Sequence, residues 1–133
     1  MENSQFQFQG FKIKKSLIDI NDYDGDLDLS IKFSPSGVLD KKQSIFILNL
    51  GVVIKDSDKL NIEISSESFF KYSNIEEDKL SNFLYLNAPA IMFPYIRAYI
   101  SSLTVLSGIN PINLPTLNLS GLKSELESNI SVL

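Results

Sequence analysis

The first half of the chain alternates hydrophobic and polar residues in short segments, as half-buried β-strands do. Phe6-Gln7-Phe8-Gln9 alternates cleanly, and the phase then shifts at Gly10. Because glycine readily adopts positive φ, this shift indicates a β-bulge. A second strand is predicted over 27–33, where four apolar residues share one face. Ser34-Pro35-Ser36-Gly37 has turn chemistry and is predicted to end that strand.

Two further strands follow. The segment 44–55 places apolar residues on both faces, among them Phe46 and Leu48 on one and Ile45 and Ile47 on the other. A strand with two apolar faces is central, or its outer face meets a partner. The next strand begins at Leu60 and alternates apolar with polar residues, so it is predicted to keep one wet face.

The second half of the chain carries helix signals. Ser73-Asn74-Ile75-Glu76 fits a capping box and predicts a helix that continues to about Leu84. Pro89 and Pro94 are predicted to break or restart it, because an internal proline removes a backbone hydrogen bond. Pro94 suits the first turn of a new helix over 94–107.

Gly108 is the predicted stop of that helix, and 120–129 is predicted as a last, short amphipathic helix. Strands followed by helices predict an α+β fold with helices on one face of an antiparallel sheet. With 133 residues, we expect one domain over 1–133.

The predicted long helix carries an apolar stripe that includes Ile96, Ile100 and Leu103, while Ala98, Ser101 and Ser102 keep other faces small. Small residues let a neighbouring element approach closely. The stripe can pack on the chain's own sheet, or the helix can form a subunit contact, and the pattern supports both.

The composition excludes several kinds of partner and of catalytic site. The net charge is −4 and the sequence pI is about 4.7, which disfavours nucleic acid as a partner. The chain has no histidine and no cysteine, so zinc, thiol and Ser-His-Asp chemistry are excluded. Paired carboxylates stay open as a possibility. No glycine-rich phosphate loop is present, so we expect no catalytic residue and no cofactor.

An acidic stretch over 19–28 invites a calcium interpretation. With Gly25 as the loop glycine, the first ligand position is Ile20 and the twelfth is Ile31, so the EF-hand pattern fails at both anchors. A solvated turn is expected instead. The N-terminus has no basic start followed by an apolar stretch, and no run reaches about 18 apolar residues. We therefore expect a cytoplasmic protein without direct membrane insertion.

One ordered set of motifs resembles a known family. The segment 87–97, Asn-Ala-Pro-Ala-Ile-Met-Phe-Pro-Tyr-Ile-Arg, resembles the entry into the long helix of SecB export chaperones. The following 100–103, Gly108 and the proline-bracketed Pro111-Ile112-Asn113-Leu114-Pro115 also match that family. The start, Phe11-Lys12-Ile13-Lys14-Lys15, is similar to its first strand.

The resemblance implies a four-stranded antiparallel sheet with a long helix and a shorter C-terminal helix. It implies a homo-oligomer, a tetramer built as a dimer of dimers, that holds unfolded preproteins in apolar grooves and delivers them to the SecA motor. It is not an enzyme in this interpretation. The family layout gives the groove as Phe33, Val38 and Leu39 from the second strand and its following loop, facing Ile112, Leu114, Leu117 and Leu122.

The oligomer interface is expected on Ala98, Ser101, Ser102 and Val105, and an acidic SecA-facing site at Asp19 and Asp22. The sequence is also rich in Lys, Asn, Ile and Ser, a departure from the family, so an alternative is a SecB-fold chaperone dedicated to one client, such as an antitoxin. A different class also remains: a small-ligand-binding or enzymatic α+β domain, which would have a closed pocket in the monomer.

Overall fold

A computed structural model describes residues 4–23, 25, 28–115 and 119–133 of the chain, with the backbone alone for residues 119 and 120. Five strands form one sheet in the order β1-β4-β3-β2-β5: β1 Gln5–Ile20, β2 Ser30–Asp40, β3 Ile45–Asp56, β4 Leu60–Ser73 and β5 Ile130–Val132. The helices are α1 Glu77–Asn82, a π-helical turn Phe83–Asn87, α2 Ala88–Leu106 and α3 Leu119–Ser128.

The expected α+β fold with a long helix and a C-terminal helix is confirmed, but the four-stranded antiparallel sheet is wrong. Three strand pairs are antiparallel, whereas β5 runs parallel to β2, with Gly37 opposite Ile130 and Leu39 opposite Val132. The sheet is therefore mixed and five-stranded. Three residues are too few to show an alternation, so the sequence pattern did not reveal β5.

The bulge predicted at Gly10 is confirmed. Gly10 has φ of +109°, and the register between β1 and β4 shifts between Phe8 and Phe11. A second shift follows between Ile13 and Lys15. These irregularities bend β1, which is the edge strand at this side of the sheet.

The turn predicted at 34–37 is wrong, because β2 continues through it to Asp40. Proline is tolerated there because no strand pairs with the outer side of β2 at Pro35. The Gly37 N–H points to that outer side and donates to Asn129 O. Backbone groups two residues apart in a strand point the same way, so the nitrogen of Pro35 also faces outward. The real turn follows Asp40, whose Oδ1 accepts the N–H groups of Lys42 and Gln43, each at 3.1 Å.

One face of the sheet forms the hydrophobic core. Alternate residues of β3 and β4 are buried there, and Phe46 and Phe70 are fully inaccessible. The helices contribute residues about one turn apart: Leu80, Leu84, Ala88, Met92, Ile96 and Ile100. The alternation predicted for the first half of β4 is observed, but its polar face is only partly wet: Asn61 and Glu63 are half-buried and Ser65 is exposed.

The predicted capping box is wrong. Glu76 occupies the N-cap without a side-chain hydrogen bond, and Asn74 has φ of +55°. Pro89 also does not interrupt the helices, which follow one another without a gap from Glu77 to Leu106. The π-helical turn widens the backbone just before Pro89, so the helix does not need the N–H group that this proline lacks.

Pro94 lies inside α2 instead of at its start. Ala90, the residue whose carbonyl loses its helical donor, is exposed and so is Pro94, so water can satisfy that carbonyl. The predicted stop is confirmed: α2 ends at Leu106, and Gly108, with φ of +91°, donates its N–H to Val105 O at 3.1 Å.

Candidate functional site

The predicted groove residues of β2 do not share one face. Leu39 lies on the core side with 4% of its surface exposed, whereas Val38 is half-buried on the opposite face, between Ile47 and Ser131. Both belong to the strand and not to a following loop, which corrects the sequence prediction. Neighbouring strand residues point to opposite faces, so a single surface cannot present both side chains.

The facing segment is firmly held. Ile112, Leu114 and Leu122 are buried in the same core as Leu39, and Leu117 lies outside the described residues. Thr104 of α2 anchors this segment: its Oγ1 accepts the Ile112 N–H at 3.0 Å and donates to Ile100 O at 2.9 Å.

Phe33 is half-buried on the core side of β2. Its ring meets Phe93 edge-on, with 6.0 Å between the ring centroids. The structure therefore brings Phe33, Leu39, Ile112, Leu114 and Leu122 to one side of β2 and separates Val38 from them.

A small apolar cleft, which was not predicted from the sequence, opens beside the end of β2. It has a volume of about 170 Å³ and is lined by Leu39, Lys41, Glu77, Leu80, Ser81, Leu84, Tyr85 and Val132. That volume is close to the roughly 150 Å³ cavity that admits a benzene-sized group. Its lining comes from β2, α1, the π-helical turn and β5, which only the fold brings together.

The rim of this cleft is charged. Lys41 Nζ donates to Glu77 Oε1 at 2.6 Å. The hydrogen bond from Lys41 lowers the pKa of Glu77, and the same bond raises the pKa of Lys41. Burial raises the pKa of Tyr85 in the wall. Each of these shifts strengthens the charge state that the group already has at neutral pH, so the rim stays a fixed ion pair above a neutral phenol.

The residues expected at the oligomer interface form one exposed stripe on α2. Ala98 and Ser102 are exposed, Ser101 is half-buried and Val105 is 50% exposed. Spacings of three and four residues place them on one helix face. The helix meanwhile buries Ile96 and Ile100 within the chain, so packing on its own sheet and an open outer face occur together.

An exposed aromatic cluster lies across β1 and α2. The rings of Phe8 and Phe11 lie 5.3 and 5.2 Å from that of Tyr95, centroid to centroid. Phe11 is 36% exposed and Tyr95 44%. Among the described residues, no strand pairs with the outer edge of β1. This cluster therefore adjoins a free strand edge, which is a ready site for chain association.

Asp19 and Asp22 lie close together in the chain at the end of β1, and both are exposed. Asp19 pairs across the sheet with Asn61, and Asp22 has φ of +55°. Residues 24, 26 and 27 of the acidic stretch lie outside the described part of the chain. Where the structure describes the chain, no three carboxylates group together as a metal site requires.

None of the helices in the described ranges combines the length and the hydrophobicity that a membrane-spanning helix requires.

Known proteins share this fold and parts of this sequence. The sequence profile of the family described as "Preprotein translocase subunit SecB" matches residues 15–127. The Protein-export protein SecB of Verminephrobacter eiseniae is 22% identical over 147 aligned positions, which cover 96% of this chain and 90% of that protein.

An uncharacterized protein of Methanocaldococcus jannaschii is 39% identical over 75 residues, 55% of this chain. That alignment spans about half of the relative's length, 48%. Among solved structures, the Mycobacterium tuberculosis SecB-like chaperone, in complex with a ChAD peptide from the HigA1 antitoxin, shares the fold with a TM-score of 0.71. It is 19% identical, and the match covers 85% of this chain and 88% of that one. Since the family profile spans most of the sequence, the chain belongs to the SecB family of chaperones.

Proposed function

We propose that the chain is a holdase that binds unfolded segments of client proteins and needs neither ATP nor a metal. The observation that carries this proposal is the open apolar cleft beside the end of β2. A client side chain that enters it leaves water, and burial of apolar surface stabilises binding by roughly 25 cal/mol per Å². Membership in a chaperone family that performs no chemical step supports the same conclusion.

The mechanism is mass action. A holdase lowers the free concentration of the unfolded chain and so slows its aggregation. One small cleft gives weak binding, so affinity comes from several contacts along a long client. Of the predicted groove residues, Phe33 and Val38 are partly accessible, and Leu39 lines the cleft with only 4% of its surface exposed. Ile112, Leu114 and Leu122 are buried and reach a client only if the helix layer moves.

The working form in this proposal is a homo-oligomer, a dimer of dimers. Two features of the single chain support it: the exposed stripe from Ala98 to Val105 on α2, and the aromatic cluster beside the free edge of β1. Repeating the cleft on four subunits also supplies the several contacts that a long client requires.

Two client ranges are compatible with this mechanism. In the first, the protein holds many preproteins in the cytoplasm and passes them to SecA, with Asp19 and Asp22 as the docking carboxylates. In the second, it serves one client, such as an antitoxin. The likeness to a SecB-like chaperone that binds an antitoxin peptide supports the second range as well as the first. Titration of SecA with the wild type and with an Asp19→Asn, Asp22→Asn variant tests the first range. That range requires binding to the wild type that the double variant weakens, and a wild type that does not bind SecA contradicts it.

The test of the holdase itself is aggregation of a chemically denatured preprotein, followed by light scattering with EDTA and without ATP. We expect suppression that saturates near one oligomer per client chain. An equal mass of serum albumin serves as the control. If protection needs ATP or a divalent metal, the mechanism is wrong, and an enzyme or small-ligand-binding domain becomes the better explanation.

A further inference from the structure

The strand β5 occupies part of an edge that a client chain can use. It pairs with β2 over three residues, from Gly37–Ile130 to Leu39–Val132. The Gly37 N–H donates to Asn129 O at 3.1 Å, and the Leu133 N–H donates to Leu39 O at 2.8 Å. Val132 also lines the apolar cleft. The same short segment therefore fills both the backbone positions and part of the apolar surface at this place.

The attachment of β5 is weak by its composition. Ser131 is exposed, Val132 is 58% exposed and Leu133 is 70% exposed, while Ile130 is only half-buried. A segment with little buried apolar surface opens at a low free-energy cost, far below that of global unfolding. Residues 131–133 can therefore leave β2 while α3 and the core stay folded.

We propose that β5 is a built-in competitor of the client: it occupies the β2 edge in the empty chaperone and is displaced when an extended, apolar client segment adds there as a strand. This inference rests on the proposed holdase function and deepens it. Strand addition is a general mode of peptide recognition in which main-chain hydrogen bonds supply affinity and alternate side chains supply specificity.

The chemistry of the displaced strand predicts what replaces it. Ile130 and Val132 are separated by one residue and lie on the same side as Gly37 and Leu39. A matching client segment has two apolar side chains separated by one residue. No described strand pairs with the outer edge of β2 from Ser30 to Ser36. Asn129 reaches this edge, since it accepts the Gly37 N–H and its side-chain amide donates to Pro35 O at 3.4 Å, so a longer client strand gains further pairing where it also displaces Asn129.

A disulfide lock tests the displacement. The chain has no cysteine, so Val38→Cys with Ser131→Cys introduces the only two thiols, at positions directly opposite in the β2–β5 pair. Oxidation should weaken client binding by about tenfold relative to the same variant after reduction, because the competitor can no longer leave. The matched control is Lys32→Cys with Val53→Cys, which ties β2 to β3 and should bind equally well in both redox states.

Hydrogen exchange distinguishes displacement from binding elsewhere. With client bound, the Leu133 amide should exchange about tenfold faster, because it loses Leu39 O. The Gly37 amide should stay protected, by Asn129 O where that residue stays in place and by the client backbone where the client replaces it. If neither amide changes, the client does not displace β5. If both become faster, the edge opens without strand addition. Either result overturns the proposal.

Removal of residues 131–133 gives an independent readout that keeps Ile130 and α3 in place. We expect client affinity to rise about threefold to tenfold, since the edge no longer has to be vacated. Val132→Ser, which removes the same apolar part of the cleft wall but keeps the main-chain pairing, is the matched control. A truncated chain that binds client no better than this control contradicts the competitor role. The two proposals can fail separately. If the wild type suppresses aggregation but neither the lock nor the truncation changes client binding, only the competitor role is refuted. If the wild type does not suppress aggregation, the holdase proposal is refuted.

Discussion

Gly37 of β2 and Ile130 of β5 meet at a place that has no room for a side chain on residue 37. A Cβ added there would lie 2.8 Å from Ile130 Cδ1 and 2.8 Å from Phe46 Cε1, well inside van der Waals contact. Phe46 is fully buried and cannot move aside. Glycine at this position therefore lets the core ring and the C-terminal strand both pack on the backbone of β2.

Gly37→Ala should consequently destabilise the protein by about 1–3 kcal/mol, because the added methyl overpacks the site. Urea unfolding followed by circular dichroism measures the change. The matched control is Gly51→Ala, where the nearest atoms to a new Cβ lie 3.6 Å away in ordinary contact. A control that loses as much stability as Gly37→Ala would show that the strand backbone, and not the contact, is responsible.

Thr104→Val should lower the free energy of unfolding by about 1–3 kcal/mol, because the buried Ile112 N–H loses its acceptor while the side-chain shape is kept. Thr104→Ser, which keeps the hydroxyl, should retain the bond and lose less. Thermal unfolding compares the two variants. Equal losses would mean that the methyl group and not the hydroxyl holds this loop.

Val38 and Leu39 are adjacent in β2 yet should respond differently. Leu39→Ala should cost about 2–5 kcal/mol of stability, because Leu39 belongs to the core. Val38→Asp lies on the opposite face and should keep the fold while it weakens client binding. Aggregation suppression and melting temperature are measured on both. If Val38→Asp protects a denatured client as well as the wild type, the groove does not include Val38.

Ser101→Arg should weaken the oligomer, because a long charged side chain would replace a small one in the middle of the α2 stripe. Light scattering behind a sizing column should give about four times 14.9 kDa for the wild type and a smaller mass for the variant. Ser124→Arg on α3, also exposed, is the control and should leave the mass unchanged. A wild type that is strictly monomeric at micromolar concentration contradicts the assembly altogether.

The Lys41–Glu77 pair should stabilise the link between β2 and α1 over a wide pH range. The pKa of Glu77 is lowered by folding, so its contribution is present above its unfolded pKa and lost as the pH falls through the folded value. The pKa of Lys41 is raised, so that contribution is lost only as the pH rises through the higher folded value. Both side chains are exposed to solvent, which screens the pair, so the effect is small.

Glu77→Gln should therefore shift the urea midpoint slightly and by a constant amount from about pH 6 to 9, with the difference vanishing in acid. The double variant Lys41→Gln, Glu77→Gln should lose less stability than the sum of the losses of the two single variants, because each single variant already removes the same ion pair. A difference that grows as the pH falls would contradict the ion-pair explanation.

Periodicity and glycine positions along the sequence were enough to predict that there are four long strands, although β2 was predicted to end at Phe33 and continues to Asp40. They also predicted the bulge at Gly10, the helix stop at Gly108 and the last helix. Each of these depends on neighbours within a few residues, so local sequence carries the information. The family motif over 87–97 likewise identified the SecB family, and residues 15–127 confirm it.

Only the tertiary structure decided the rest. From the local sequence, Pro35 and Pro94 are expected to interrupt a strand and a helix. The outward-facing side of β2 and the exposed face of α2 tolerate their missing N–H groups, and the local sequence does not show either environment. The cleft joins Leu39, Glu77, Leu84 and Val132, which are remote in sequence. The strand Ile130–Val132 forms only because α3 returns the chain to an edge that β2 leaves open, and its three residues have too little pattern of their own to specify a partner.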